Sequence, residues 1–310
     1  MNKKVSFNIP VHSDFRYLGD CLFSIASQKY PEFEIIIVFD VDNRKMTKKA
    51  AEEAEEAIEK YNDIIENLQA GIRRNVVIRT IITEPCTIGK ARQIGVEAAE
   101  GEIMAFIDSD CVLTSENWLS TMVEPFETGG HIITGSKIGK KNPECESIWV
   151  PPEEIDVVWT LGTFHSSDPA IMRYSILSNP YNPEIPPGTG HTLIRKSAII
   201  RAGGFRDINS CEDLDLMRRL QGRIVYIAEC GVYHYYAITF GEFIRKFRKA
   251  EKNRLKAGAQ GNPHKRTALV KYKGEMFTRA LIGREDPAWL LWPFADTALI
   301  VAKIRTKLFA

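Results

Sequence analysis

Four apolar runs alternate with helix-period segments through the first 125 residues, and this alternation restricts the fold more than any other feature of the chain. The runs are KVSFNIPV (4–11), FEIIIVFD (33–40), NVVIRTIIT (75–83) and EIMAFID (102–108). The second is apolar almost without interruption, the pattern of a parallel strand covered on both faces. Between the runs lie YLGDCLFSIASQKYP, with Leu18, Leu22, Ile25 and Ala26 at helical spacing, and GKARQIGVEAAEG, stopped by Gly101. TKKAAEEAEEAIEKYNDIIENLQAG (47–71) predicts a long helix closed by Gly71. Strands alternating with helices imply an α/β fold with a mostly parallel central sheet flanked by helices.

In an open sheet of this kind, ligands sit beyond the C-terminal ends of the strands. The polar residues found there are Pro10 and His12 after the first strand, Asp40 and Asp42 after the second, Glu84 after the third, and Asp108 and Asp110 after the fourth. Two aspartates at i and i+2 on a turn can reach one centre. Hard cations such as Mg²⁺ or Mn²⁺ take carboxylate oxygens and leave positions open for phosphates. A solvated turn or a helix N-cap before LTSENW is the other reading of Asp108 and Asp110. Neither GxGxxG nor GxxxxGK[ST] occurs, which opposes a dinucleotide oxidoreductase and a P-loop kinase. The helix start TIGKARQIG instead places Lys90 and Arg92 near an N-terminus, where an anion can dock.

After residue 125 the pattern changes. GGHIITGSKIG reads as a strand pair or a bent strand, and residues 141–190 are rich in Pro and polar groups. Short helices are expected there near IDVVWTLG and AIMRYSI. HTLIRKSAIIRAGGF predicts a strand and a short helix, CEDLDLMRRLQG a helix, and RIVYIAECGVYHY a strand. TFGEFIRKFRKAEKNRLKAG predicts a basic helix. Without an internal repeat or linker, residues 1–240 are expected to form one catalytic domain, with 1–125 its nucleotide-binding half and 126–240 its acceptor-binding half. Residues 241–310 are expected to form a helical C-terminal extension.

Charge narrows the function classes. Lys and Arg number 41 and Asp and Glu 40, a net of +1, so no global field recruits nucleic acid. Six cysteines without a CxxC pair point to a reducing, cytoplasmic setting with no cysteine zinc site. MNKKVSFNIP lacks the apolar core of a signal peptide.

Three segments in this order, VSFNIPVHSDFRYLGDCLFSIASQKYPEFEIIIVFD, IGKARQIGVEAAEGEIMAFIDSDC and GTGHTLIRKSAIIRAGGFRDINSCEDLDLMRRLQGRIVYI, resemble the family 2 glycosyltransferases, inverting enzymes of GT-A fold. The resemblance covers about residues 4–240. It implies a divalent cation, Mn²⁺ or Mg²⁺, and a UDP- or GDP-sugar donor. Pro10 and His12 would begin the nucleotide-binding edge, Asp40 would contact the base, and Lys90 and Arg92 would border the nucleotide pocket. Asp108 and Asp110 look like the family's DxD motif, with Asp108 next to the donor diphosphate. His234 resembles a further metal ligand of some members. Asp213 looks like the catalytic base, with Glu212 supporting it. The chain departs from the family in FDVDN, where Val41 separates the acidic pair, and in lacking the QxxRW motif of processive synthases. A non-processive enzyme follows.

An inverting transfer needs a carboxylate to take the acceptor's proton and a positive centre at the leaving diphosphate. Asp213 near a helix start would stay ionised, so proximity more than basicity makes it useful. Glycines 203 and 204 allow the positive φ of a close turn. The acceptor is expected to be a hydroxyl on a glycan or a lipid-linked molecule, with residues 141–190, including Trp149 and Trp159, shaping its site. A nucleotidyltransferase on a related scaffold would need a Gly- and Arg-rich first loop, of which NIPVHSDFRY is a poor version. A non-catalytic nucleotide-sugar-binding protein would not hydrolyse a donor. PAWLLWPFADTALIVAKI is interrupted by Pro293 and Asp296, too short a run for a span. With Trp289, Trp292 and Phe294 near Lys303, Arg305 and Lys307, it predicts a peripheral membrane contact at the cytoplasmic face or a homodimer contact.

Overall fold

The computed structural model describes residues 3–12, 17–40, 66, 76–134, 146–160, 191–209, 212–220, 223–227, 230–235, 239–245, 247–248 and 263–308. The expected helix near AIMRYSI lies outside them, as does the one at 47–71 apart from residue 66. The described residues up to His234 belong to one compact unit and those from Tyr235 to a second.

The first unit is built on a seven-stranded sheet. Its strands are β1 (Val5–Val11), β2 (Phe33–Asp40), β3 (Val77–Thr83), β4 (Ile103–Ile107), β8 (Ile155–Thr160), β9 (His191–Arg195) and β10 (Arg223–Ile227). They lie in the order β10-β8-β9-β4-β1-β2-β3. Only β9 runs against its neighbours, pairing antiparallel with both β4 and β8. Two short antiparallel ribbons complete the strands. β5 (Cys111–Leu113) pairs with β11 (Val232–His234), and β6 (Gly130–Thr134) with β7 (Glu146–Val150).

The apolar runs form strands because both faces are covered. β1, β2 and β4 are buried at every residue. Their side chains alternate between two cores. Ile35 and Ile37 join Phe7, Ile9 and Leu22 on one face, while Ile36 and Val38 join Met104, Phe106 and Leu216 on the other. Helix α1 (Leu18–Ala26) buries Leu18, Leu22, Ile25 and Ala26, the residues that the spacing selects. α2 (Ile88–Ala98), α3 (Trp118–Val123), α4 (Pro125–Thr128), α5 (Lys196–Arg201) and α6 (Glu212–Arg219) complete the described helices of this unit.

Two expectations are corrected. IDVVWT is strand β8, inside the sheet, and not a short helix. Its β-branched residues and Trp159 are buried between neighbouring strands, where such residues pack well. RIVYIAECGVYHY is two strands in different sheets, β10 and β11.

At the strand starts, remote from the strand-end crevice, Glu34 is 1% exposed. It accepts hydrogen bonds from Ser6 Oγ (2.5 Å) and the Glu100 N–H (2.7 Å) and pairs with Arg79. Burial alone would raise its pKa, but Ser6, Glu100 and Arg79 outweigh burial and hold it below the ordinary glutamate value. The unfolded chain therefore binds the proton more readily, and Glu34 contributes stability above about pH 4.5 that is lost as pH falls through its lowered folded value. Denaturant unfolding between pH 7 and 3 is expected to show a shallower acid loss of stability in Glu34→Gln than in wild type. Parallel curves would remove Glu34 from the acid response.

The second unit contains α7 (Pro263–Leu281), a 3-10 turn at Pro287–Leu291 and α8 (Trp292–Leu308). Phe243, Met276, Ala280, Ala288, Trp289 and Ala295 form its core. Tyr272 packs edge-on against Trp289 at 5.7 Å. Lys273 Nζ pairs with Asp296 at 2.9 Å, and Trp292 Nε1 donates to Asp296 Oδ2 at 3.0 Å. Asp296 is therefore the polar anchor of an otherwise apolar helix packing. No described helix is long and apolar enough to cross a membrane.

Candidate active site

The ends of β1, β2 and β4 point to one edge of the sheet because these strands are parallel and in register. At that edge His12 Nδ1 lies 3.1 Å from Asp40 Oδ2. Asp40 is buried, and its other oxygen accepts the Cys86 N–H at 3.0 Å. Both carboxylate oxygens are thus held, one by a backbone amide and one by an exposed imidazole. Pro10 sits in β1 opposite Val38 of β2. Glu84, past the end of edge strand β3, is exposed.

α2 starts at Thr87, whose hydroxyl oxygen accepts the Lys90 N–H (3.1 Å) and whose O–H donates to Asp207 (2.6 Å). Lys90 itself is exposed. Gly89 must be a glycine: a Cβ there would stand 2.1 Å from the Arg206 carbonyl oxygen and 3.2 Å from Glu212 Cβ. This close approach brings α2 against the segment leading into α6.

Arg92 comes one helical turn from the start of α2 and is 4% exposed. Its guanidinium bridges two elements, pairing with Asp108 Oδ1 at 2.8 Å and with Glu212 Oε1. Burial opposes its charge, but Asp108, Glu212 and Asp213 more than offset that, and its pKa is raised. Burial pushes the Glu212 pKa up against the pull of Arg92. Asp213 follows Glu212 in the first turn of α6 and accepts the Leu214 N–H at 2.7 Å.

The turn after β4 carries a candidate cation site. His234 is the register partner of Cys111 in the β5–β11 ribbon, so the two side chains share a face. His234 Nε2 reaches Asp110 Oδ1 at 3.3 Å. Donor atoms of Asp108, Asp110, Cys111 and His234 all lie within 4.8 Å of one another. Two carboxylates suit Mn²⁺ or Mg²⁺, while an imidazole ligand suits a transition-metal ion better than Mg²⁺. The Cys111 thiol is buried, and burial raises its pKa well above the ordinary range, which disfavours the thiolate a metal would need.

The structure places one further residue beside this turn. His191 opens β9 opposite Ile107, the residue before Asp108, because β9 runs against β4. Its ring stacks on Trp159 at 5.7 Å and 26°. Its Nδ1 is buried without a hydrogen-bond partner among the described residues. Burial, then the nearby His234, lower its pKa to about 4, leaving a neutral imidazole beside the acidic turn. Only the antiparallel placement of β9, invisible in a linear reading, puts His191 there. Trp159 is buried in this stack, while Trp149 is largely exposed. The positive φ expected of the glycine pair is present, 79° at Gly203 and 73° at Gly204.

The chain is similar to several known proteins. A segment of the chain is 28% identical over 136 residues to the glycosyltransferase AglE of Haloferax volcanii, covering 43% of this chain and 39% of that one. A match of 115 residues, 27% identical, is to the poly(ribitol-phosphate) beta-N-acetylglucosaminyltransferase TarS of Staphylococcus aureus, covering 36% of this chain and 17% of that one. The chain thus spans less than two fifths of either relative's length in these matches. The fold is similar to the mannosyltransferase PcManGT of Pyrobaculum calidifontis, solved with GDP-Man and Mn²⁺. That match has a TM-score of 0.56 at 13% identity and covers 99% of this chain and 87% of that one. The family model described as Glycosyl transferase family 2 matches residues 6–208, including β1 from its second residue, β2, α2, the Asp108–Asp110 turn and β9. The chain belongs to glycosyl transferase family 2, with the GT-A fold.

Proposed function

We propose that this chain is an inverting, cation-dependent, non-processive glycosyltransferase that moves a sugar from a UDP- or GDP-sugar to a hydroxyl of a glycan or lipid-linked acceptor. The observation that carries the reading is the convergence of Asp108, Asp110 and His234 at the end of β4, with the Arg92 bridge joining that turn to the helix of Asp213. Asp108, Asp110 and His234 would hold Mn²⁺ or Mg²⁺. When bound, the cation neutralises charge on a departing diphosphate.

The chain's own residues divide the remaining work. Asp40, with Pro10 and His12 at the same edge, takes the nucleoside base and ribose. Lys90, exposed at the start of α2, offers charge to the donor's phosphates. Asp213 takes the proton from the acceptor hydroxyl as its oxygen attacks the anomeric carbon from the face opposite the leaving diphosphate. Glu212 is held by Arg92 and keeps the first turn of α6 in place. A nucleotidyltransferase would want phosphate-cradling glycines after β1, and Pro10 to His12 offers none.

Calorimetry with UDP- and GDP-sugars, with and without Mn²⁺ or Mg²⁺, tests the donor site. Metal-dependent binding of one nucleotide class is expected in wild type, weakened at least tenfold in Asp110→Ala. Binding that is absent, or equal in the variant, overturns the donor-site reading. Slow metal-dependent hydrolysis of the bound donor separates an enzyme from a pure binding protein.

A further inference from the structure

The second unit carries a charge and an apolar surface that its own core does not use. Residues 241–310 hold 16 Lys and Arg against 6 Asp and Glu, hence +10. The whole chain is +1, which leaves −9 for residues 1–240. So steep an asymmetry marks a segment with an anionic partner.

α8 is apolar on two sides. One side, Ala295 and Ala302 with Leu299, packs inward. The other exposes Phe294 (74%), Ile300, Val301 and Ile304, an arc at i, i+6, i+7 and i+10. Leu290 before it, and Leu281 and Ile282 at the end of α7, are exposed as well. Arg305 is exposed on the border of the arc. A helix with a second unburied apolar face needs a second partner, and large exposed apolar residues mark an interaction surface. An apolar arc with basic flanks matches a bilayer whose headgroups are anionic: the side chains enter the acyl boundary while Lys and Arg stay at the phosphates. A nucleic acid would meet the charge and leave the apolar arc in water. A second copy would bring +10 against +10.

We propose that α8 docks this chain on an anionic membrane surface, lying in the interface without spanning it. The proposal does not depend on the transfer chemistry, since every residue it uses lies in the second unit. Co-sedimentation of the full chain with vesicles of phosphatidylcholine alone, and of phosphatidylcholine with phosphatidylglycerol, tests it. Binding to the anionic vesicles is expected, reduced at least tenfold by 0.5 M salt on the order expected from screening. Phe294→Ser with Ile304→Ser is expected to weaken it about tenfold or more while thermal unfolding stays unchanged, because both side chains are exposed. Arg305→Glu tests the flank separately and should weaken binding to anionic vesicles alone. The absence of binding to either vesicle overturns the proposal. So does binding that the apolar variants leave intact. A dimer by sedimentation that the apolar variants convert to monomer also overturns it and assigns the face to a second copy.

Discussion

Asp213→Asn is expected to abolish most transfer while sparing donor binding. The variant keeps size and hydrogen-bonding shape but removes the proton acceptor, and loss of a positioned base costs on the order of 10²–10⁴-fold in turnover. Asp213 is the suited carboxylate because its neighbour is occupied. Glu212 is buried and paired with Arg92, whereas the only hydrogen bond to Asp213 among the described residues comes from the Leu214 N–H. Steady-state transfer and donor calorimetry, run on the same preparation, give the two readouts. A fall in kcat with donor affinity unchanged assigns the base. Transfer at the wild-type rate moves the role to another group, with Glu212→Gln the next variant to measure. Loss of both transfer and binding would place Asp213 in the donor site.

Arg92→Met is expected to destabilise the chain by about 3–5 kcal/mol at neutral pH. The variant removes one cation and leaves Asp108 and Glu212 facing the gap it filled. Glu212, whose pKa burial already raises, loses the attraction that restrains it. Its folded pKa then lies further above the unfolded one, so its stabilising contribution is present at low pH and lost as pH rises through the folded value. The deficit relative to wild type should therefore shrink from pH 8 to pH 5. Chemical unfolding at both pH values measures this. Adding Glu212→Gln should recover part of the loss at pH 8, a coupling that a double-mutant cycle resolves. A deficit below about 1 kcal/mol, independent of pH, would mean that water replaces the bridge without strain.

The sequence revealed the parallel half of the sheet because burial on both faces writes itself as unbroken apolar runs. It also revealed the acidic strand ends, since Asp40, Asp108 and Asp110 follow those runs directly. β8 is not legible as a strand because Ile155 to Thr160 is short and follows Pro151 and Pro152, and a short apolar run carries no period that separates strand from helix. The bridge by Arg92 was hidden for another reason. Nothing in the one-dimensional pattern tells a helix-start arginine that meets phosphate from one sealed between two carboxylates. The difference lies in how closely α2 and α6 approach, which the structure shows at Gly89. His191 escaped notice because strand direction, not residue type, decides which end of β9 meets the crevice.

The short ribbon of β5 and β11 also has a temporal meaning. Asp110 and His234, 124 positions apart in the chain, are brought together by the pairing of β5 with β11. Such a closure is expected to form late, after local contacts, because bringing distant segments together costs chain entropy before any pairing rewards it. A nascent chain that has emerged only as far as β9 would already hold both aspartates but not the imidazole. The cation would then act as a reporter of completion: it would bind tightly only when the last strand of the first unit has found its partner. By mass action, metal and donor would stabilise the finished fold over its unfinished forms.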